Sequence, residues 1–445
     1  MRAADLGARR VAVWGLGREG RAAIGFLRRR CPTLSPVLLD EAADRAPPPD
    51  GGDLCCVFGR EDIARTLAGI DVIVKSPGVS LYHPLIAAAR ARGVAVTSLL
   101  NLWFAEKPAL TTICVTGTKG KSTTASLLAH ILAGLGRRTA LAGNIGVPVS
   151  AIDESAADCA VIEVSSYQAA DFAGHCDVAV LTSLYPEHLD WHGSAERYFR
   201  DKLNLLEHAR YCVVNRESAA AAAQVLGGLP PDTVLFNDAA GLHCRDGAIF
   251  AGGERIGAVG NAYLSRPHNL SNLSAALTAA RLLGLDSAAG LAAAASFRGL
   301  PHRQQELGES GGLLFVDDSI STTPESTIAA LAVYAGRPIT VILGGYDRGI
   351  DYDKLVAALA AGAAHAAVCL GESGARIHGA LHRRPDCAAA SCLVSSMSEA
   401  VAASRRLTPP GGVVLLSPAA PSYGQYRDFI ERGRDFAAKA GLPQP

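Results

Sequence analysis

Short runs of consecutive apolar residues alternate along this chain with longer stretches whose apolar positions recur every three or four residues. Val11-Ala12-Val13-Trp14 is one such run; it leads into Gly15-Leu16-Gly17-Arg18-Glu19-Gly20 and a helix expected through Arg30. Val37-Leu38-Leu39-Asp40 reads as the next strand, and Asp71–Val79 as a third that ends in a turn. The pattern resumes with Ile113-Cys114-Val115, a glycine-containing loop, and helical spacing over Ala125–Leu132. Val161-Ile162-Glu163 and Val178–Thr182 are the next two strands. Leu313–Val316, Ile339–Leu343, Ala366–Leu370 and Val413–Leu416 read as buried parallel strands separated by helices. The fold class predicted is α/β in three domains: an N-terminal Rossmann-like doubly wound sheet, a central P-loop ATPase-type domain and a C-terminal Rossmann-like domain. Their expected limits are 1–106, 107–298 and 299–445, the second starting near Lys107-Pro108. Ligands of such sheets gather at the carboxyl ends of the strands.

The stretch Gly117-Thr118-Lys119-Gly120-Lys121-Ser122-Thr123 lies between the strand ending at Thr116 and the following helix. Strand, glycine loop and helix start are what a phosphate-binding loop requires, because backbone N–H groups and the helix dipole converge on the anion. Lys121 would reach the terminal phosphates, and a hydroxyl of Ser122 or Thr123 would hold Mg²⁺. Val115 stands where the G-x-x-x-x-G-K-[ST] pattern has its first glycine. The expected ligand is a nucleoside triphosphate. The earlier G-x-G-x-x-G of Gly15–Gly20, with Asp40 twenty residues beyond Gly20, is the nominal dinucleotide fingerprint and suits any nucleoside diphosphate as well as NAD.

With 445 residues the chain needs more than one core, and 49% hydrophobic against 19% charged residues makes it globular. A formal net charge of zero gives no electrostatic case for a nucleic-acid or anionic-membrane partner. Eleven cysteines with no C-x-x-C pair argue against a disulfide framework and for a reducing compartment. The N-terminus lacks the apolar core of a signal peptide, and alanine-rich stretches are interrupted, so a cytoplasmic location and no membrane span are expected. A monomer is allowed.

A hard cation beside phosphates takes carboxylate oxygens and tolerates imidazole, which singles out Glu163 and His188, each placed after an apolar strand. With these residues in view, the chain resembles the Mur ligases, ATP-dependent amino-acid-adding enzymes of peptidoglycan synthesis. The resemblance runs over nearly the whole chain. It is carried by Thr116–Thr123, Gly143-Asn144-Ile145-Gly146, Glu163-Val164-Ser165-Ser166, Glu187-His188-Leu189-Asp190 and Tyr198-x-x-x-Lys202. His268-Asn269-x-x-Asn272, Leu300-Pro301-His302-Arg303, Gly344-Gly345-x-Asp347-Arg348-Gly349 and Leu416-Ser417-Pro418-Ala419 continue it. Within the family the chain is most similar to the branch that adds glutamate to UDP-N-acetylmuramoyl-L-alanine.

The resemblance implies ATP and Mg²⁺ as cofactors, with the UDP-sugar and glutamate as small-molecule substrates. It assigns the loop Gly117–Thr123, together with Asn269, Asn272, Arg303 and Asp318, to ATP. Lys121, Glu163, His188 and Lys202 would be catalytic. Ser122 would hold one Mg²⁺; Glu163, His188 and an N-carboxylated Lys202 would hold another. Gly15, Leu16, Gly17, Asp40, Ser76, Pro77, Gly78, Asn144 and Ser165 would hold the UDP-substrate. Arg348, Ser422, Tyr423 and Phe429 would bind glutamate. The three domains would then bind the UDP-substrate, ATP and the amino acid in turn, and closure would keep water from an acyl phosphate.

Two departures bear on stereochemistry. Asp317-Asp318-Ser319-Ile320-Ser321-Thr322-Thr323 lacks the lysine that D-glutamate ligases commonly carry at the position of Ile320, and Arg348 stands where lysine is frequent. Arginine grips a carboxylate bidentately where lysine offers a point charge. The segment looks like that of variant ligases that add L-glutamate, the favoured expectation; D-glutamate is the alternative. A folate-type polyglutamate ligase, a dehydrogenase resting on Gly15–Gly20 and an ATP-dependent switch are the rival readings.

Overall fold

A computed structural model describes residues 1–42, 54–106, 108–384 and 387–443. Lys107, where the second domain is expected to begin, lies outside the described residues. The chain forms two compact units, Met1–Phe297 and Arg298–Pro445.

The first unit contains two parallel sheets. One is built from β1 (Val11–Trp14), β2 (Val37–Asp40), β3 (Cys56–Phe58), β4 (Val72–Lys75) and β5 (Ala95–Thr97), in the order β3-β2-β1-β4-β5. The turn-ending strand expected as the third is therefore the fourth. Cys56–Phe58 is short and only partly buried, which leaves little apolar signal for a strand. The chain order reverses beside β1, so the glycine turn after β1 sits at the sheet's switch point. The helix Arg18–Arg30 begins there and buries Ala23, Ile24, Phe26 and Leu27 against the sheet. Gly20 permits that approach, because a Cβ on it would overlap the Gly15 carbonyl oxygen. Gly20→Ala is expected to cost roughly 1–3 kcal/mol of stability by forced overpacking, read as a lower midpoint in thermal or urea unfolding.

The second sheet comprises β6 (Thr111–Thr116), β7 (Thr139–Gly143), β8 (Cys159–Glu163), β9 (Cys176–Leu181), β10 (Ala209–Asn215) and β11 (Thr233–Phe236). Its order is β11-β10-β9-β6-β8-β7, all parallel, with β6 central and completely covered at Ile113, Cys114 and Val115. A three-stranded antiparallel meander follows, β12 (Leu242–Arg245), β13 (Ala248–Ala251) and β14 (Glu254–Ala258).

The second unit is a six-stranded sheet of β15 (Gln305–Ser310), β16 (Leu313–Asp317), β17 (Ile339–Leu343), β18 (Ala366–Leu370), β19 (Ala390–Val394) and β20 (Val413–Leu416). The order is β15-β16-β20-β17-β18-β19; only the edge strand β15 runs antiparallel. Its four buried parallel strands are those read from apolar runs. All eleven cysteines are free, and Cys55 alone among them is exposed. Among the described residues no helix is long and apolar enough to cross a membrane.

Candidate active site

β6 delivers Thr116 to the loop Gly117–Gly120, and the helix Lys121–Gly134 starts at once. Gly117 has φ +142°, and a Cβ there would overlap Thr182 Oγ1 while lying 2.9 Å from the Ser183 nitrogen. The loop is held from the end of β9: Thr118 N–H donates to the Ser183 carbonyl (2.8 Å), Lys119 N–H to Ser183 Oγ (2.8 Å), and Thr182 Oγ1 to the Lys119 carbonyl (2.6 Å). Such anchoring fixes the path of the loop before any phosphate arrives, with the N–H groups of Thr118 and Lys119 engaged in it. Lys121 Nζ donates to the carbonyls of Gly117 (2.8 Å) and Thr118 (3.0 Å), spanning the loop it serves. Ser122 is partly exposed at the helix start, and Thr123 is buried.

Lys202 sits on the helix Ala195–Glu207, only 1% exposed, and its Nζ donates to the same Gly117 carbonyl at 2.9 Å. Burial first, and then the positive charge of Lys121, push its pKa well below the usual lysine range. Glu163 ends β8, 1% exposed; its Oε1 accepts from Asn144 Nδ2 at 2.7 Å, while its buried Oε2 has no hydrogen-bond partner. His188 adopts φ +54°, and burial, with Lys121 and Lys202 adding to it, lowers its pKa despite the nearby Glu187. Glu187 itself pairs with Lys119 at 2.6 Å. Lys121, Glu163, His188 and Lys202 thus gather around one loop.

Asn269 and Asn272 come from the helix Pro267–Leu282. Asn272 Nδ2 donates to Asn269 Oδ1 (3.2 Å), Asn272 Oδ1 accepts from Thr124 Oγ1 (3.1 Å), and Asn269 Nδ2 donates to the Tyr263 carbonyl (2.9 Å). The pair is brought to the phosphate loop but with these amide groups engaged inside the protein.

A cavity of about 600 Å³ opens in the same unit. Gly15, Gly17, Asp40, Ser76, Pro77, Gly78 and Asn144 line it, so seven of the nine residues assigned to the UDP-substrate share one wall. Leu16 contributes backbone only: its N–H donates to Asp40 Oδ2 (2.8 Å) and its side chain is packed in the core. Ser165 stands apart as the cap of the helix Ser166–Ala169, joined to Gln168, which does line the cavity. The helix starting at Arg18 directs its N-terminus to this space, a place suited to a diphosphate.

In the second unit, Asp318 accepts from Ser417 Oγ (2.7 Å) and from Gln304 N–H (3.1 Å), and burial pushes its pKa up to about 6. Arg303 keeps a buried Nε without a partner, and its charge acts on Asp318. Arg348 is exposed, and its Nη2 donates to the Thr322 carbonyl at 2.8 Å. Tyr423 is exposed and meets Tyr346 edge-on with ring centroids 6.5 Å apart, while Ser422 is buried. Phe429 crosses His302 at 5.8 Å, and its carbonyl accepts from Ser319 Oγ. The glutamate-assigned residues therefore surround the carboxyl ends of β16, β17 and β20.

Residues 9–98 match the Mur ligase MurD-like N-terminal domain, 115–280 the Mur ligase middle domain, and 302–420 the Mur ligase glutamate ligase domain. A UDP-N-acetylmuramoyl-L-alanine–L-glutamate ligase of Xanthomonas euvesicatoria pv. vesicatoria is 42% identical over 99% of this chain and 97% of its own. One of the same name from Salinispora tropica is 43% identical over 98% of each. The chain belongs to the Mur ligase family. Among solved structures, a UDP-N-acetylmuramate–alanine ligase from Thermotoga maritima aligns with a TM-score of 0.57 at 19% identity, over 97% of this chain and 99% of that one, and so shares the fold.

Several residues of this Mur ligase escaped the sequence reading. Trp14, Arg18, Glu19, Glu41, His83 and Gln168 also line the cavity. Glu41 pairs with His83 Nε2 at 3.0 Å, a contact between segments far apart in sequence that no spacing rule reveals. Arg18, at a helix start inside the glycine turn, was the one of these with a visible signal. Arg432 is 2% exposed, and its guanidinium donates to Ser319 Oγ and to the Ser319 and Ala420 carbonyls, tying two of the amino-acid loops together. Burial lowers its pKa to about 10.

Proposed function

We propose that this ATP-dependent ligase joins glutamate, L-glutamate in preference, to the alanyl carboxyl group of UDP-N-acetylmuramoyl-L-alanine. Asn144 carries the reading. One amide side chain lines the cavity suited to the UDP-sugar and donates to Glu163 Oε1, so the far end of the substrate and the carboxylate at the phosphate loop share a residue. The names of the full-length relatives support the substrate.

An amine cannot displace oxide from a carboxylate, so the alanyl carboxylate first takes the γ-phosphoryl group of ATP. The loop N–H groups and Lys121 balance the charge that builds during that in-line transfer. The amine of glutamate then attacks the acyl carbon, the amide bond forms, and phosphate departs with the proton released. Ser122 would hold one Mg²⁺, and Glu163, His188 and carboxylated Lys202 a second; these ions would neutralise charge on the phosphates. The unpartnered Glu163 Oε2 fits that role. Among the described residues no three His, Cys, Asp or Glu side chains stand together as a metal site. Carboxylation would turn Lys202 into an anionic oxygen donor beside Glu163 and His188, with water and phosphate oxygens completing the ion's sphere.

In the second unit, Arg348 and Tyr423 would contact the amino acid, with Ile320 standing where D-glutamate ligases commonly carry a lysine. The expected result is ATP-dependent phosphate release with UDP-N-acetylmuramoyl-L-alanine and L-glutamate, and little with D-glutamate. Turnover with D-glutamate alone would keep the ligase and overturn the stereochemical assignment. Silence with both would overturn the substrate assignment.

A further inference from the structure

The segment that follows the Ser76-Pro77-Gly78 turn is bound to the hairpin that carries His188 and Lys202. Ser80 Oγ donates to the Trp191 carbonyl at 3.1 Å, and Tyr82 OH donates to Asp201 Oδ1 at 2.6 Å. The Arg197 guanidinium lies 4.5 Å from the Tyr82 ring centroid, and Trp191 meets the same ring edge-on at 5.9 Å. Ser80 and His83, on either side of Tyr82, line the cavity.

Asp201 immediately precedes Lys202. Its other oxygen, Oδ2, lies 2.6 Å from Nδ1 of His192, which is fully buried, and His192 Nε2 lies 3.0 Å from Ser166 Oγ. Both ring nitrogens are therefore engaged, Nδ1 with the Asp201 carboxylate and Nε2 with the Ser166 hydroxyl. The hydrogen-bonded chain runs from Ser166 through His192 to Asp201, and Tyr82 OH donates to the same carboxylate. Ser166 stands three residues after Glu163, whose carboxylate holds Asn144 on the cavity wall. The contacts close a ring: cavity wall, Tyr82, Asp201 beside Lys202, His192, Ser166, the end of β8 at Glu163, Asn144, and the cavity wall again.

A buried carboxylate–imidazole pair adds little stability over apolar packing of equal volume, but it holds its partners in one arrangement when every polar atom is satisfied. We infer that Tyr82, Asp201, His192 and Ser166 are positioning residues that register Lys202 and Glu163 against the wall of the UDP-sugar cavity. Binding of that substrate thereby sets the phosphoryl-transfer geometry. The inference rests on the assignment of the cavity to the UDP-sugar.

The test compares wild type with Tyr82→Phe and Asp201→Asn. Tyr82→Phe removes one hydroxyl from a residue that is 38% exposed and leaves its ring against Trp191 and Arg197. Thermal midpoint, Kd for ATP alone and Kd for UDP-N-acetylmuramoyl-L-alanine alone are measured beside kcat and each KM. The expected result for Tyr82→Phe is an unchanged midpoint, both Kd values within about twofold, and kcat lowered about tenfold, as a misplaced reacting group produces. Asp201→Asn should lower kcat further; if it fails to fold, Tyr82→Phe decides alone. A kcat within about twofold of wild type overturns the proposal and leaves the ring a scaffold. A raised KM for the UDP-sugar with kcat unchanged also overturns it, making Tyr82 a substrate contact. Failure of the wild type to bind the UDP-sugar is seen before any variant is compared; it removes the substrate assignment and the proposal together.

Discussion

Replacing Lys202 with alanine is expected to lower turnover roughly 10²–10³-fold, the scale for losing one preorganised group that balances transition-state charge. The side chain is buried beside Lys121 and donates to the Gly117 carbonyl, so truncation removes both a loop contact and the amine that would be carboxylated. Two consequences separate these roles. If the carboxylated form is the working one, formate or acetate diffusing into the vacated space restores part of the rate, while methylamine, which could replace only the loop contact, does not. Phosphate release measured across a series of added acids and amines reads this directly. Full activity without any additive would remove Lys202 from the site. Rescue by the amine alone would reduce it to a loop support.

Gly117→Ala is expected to abolish measurable ATP binding while leaving most of the fold standing. The new Cβ would overlap Thr182 Oγ1 and crowd the Ser183 nitrogen, and φ +142° is a conformation that side-chain-bearing residues rarely adopt. Either the loop or the end of β9 must move, and the same end of β9 supplies the hydrogen bonds that shape the loop. Stability should fall by roughly 1–3 kcal/mol, and nucleotide affinity by far more, because every backbone donor is displaced together. Calorimetric titration of ATP with a parallel melting curve distinguishes the two. Unaltered affinity would show that phosphate is bound elsewhere.

The central parallel strands were legible where their residues are covered on both faces and read as unbroken apolar runs, Ile113-Cys114-Val115 and Val413–Leu416 being clear cases. What went unread were elements with weak or divided signals: the parallel strands β3, β5, β7, β10, β11 and β19, each with partly covered positions, the antiparallel edge strand β15 and the β12–β14 meander, whose polar and apolar positions mix. Phosphate-loop chemistry was legible since it is local, with strand, glycines, lysine and hydroxyls inside a dozen residues. Asp40 and the Ser76 turn could be placed at strand ends by the same logic. Long-range partners could not: the Glu41–His83 pair and the Tyr82–Asp201 bond join segments 42 and 119 residues apart, and only folding brings them together. Asn269 and Asn272 show a related limit, for a motif names residues near a ligand without telling whether their amides face it or each other.

The cysteine pattern has a practical outcome. Ten thiols are buried or half-covered, whereas Cys55 is open to solvent just ahead of β3. β3 pairs with β2, the strand that ends in Asp40 on the cavity wall. A maleimide dye supplied in limiting amount should therefore settle on Cys55 of the unaltered protein. The chain thus carries its own attachment point for an optical reporter on the sheet that borders the cavity.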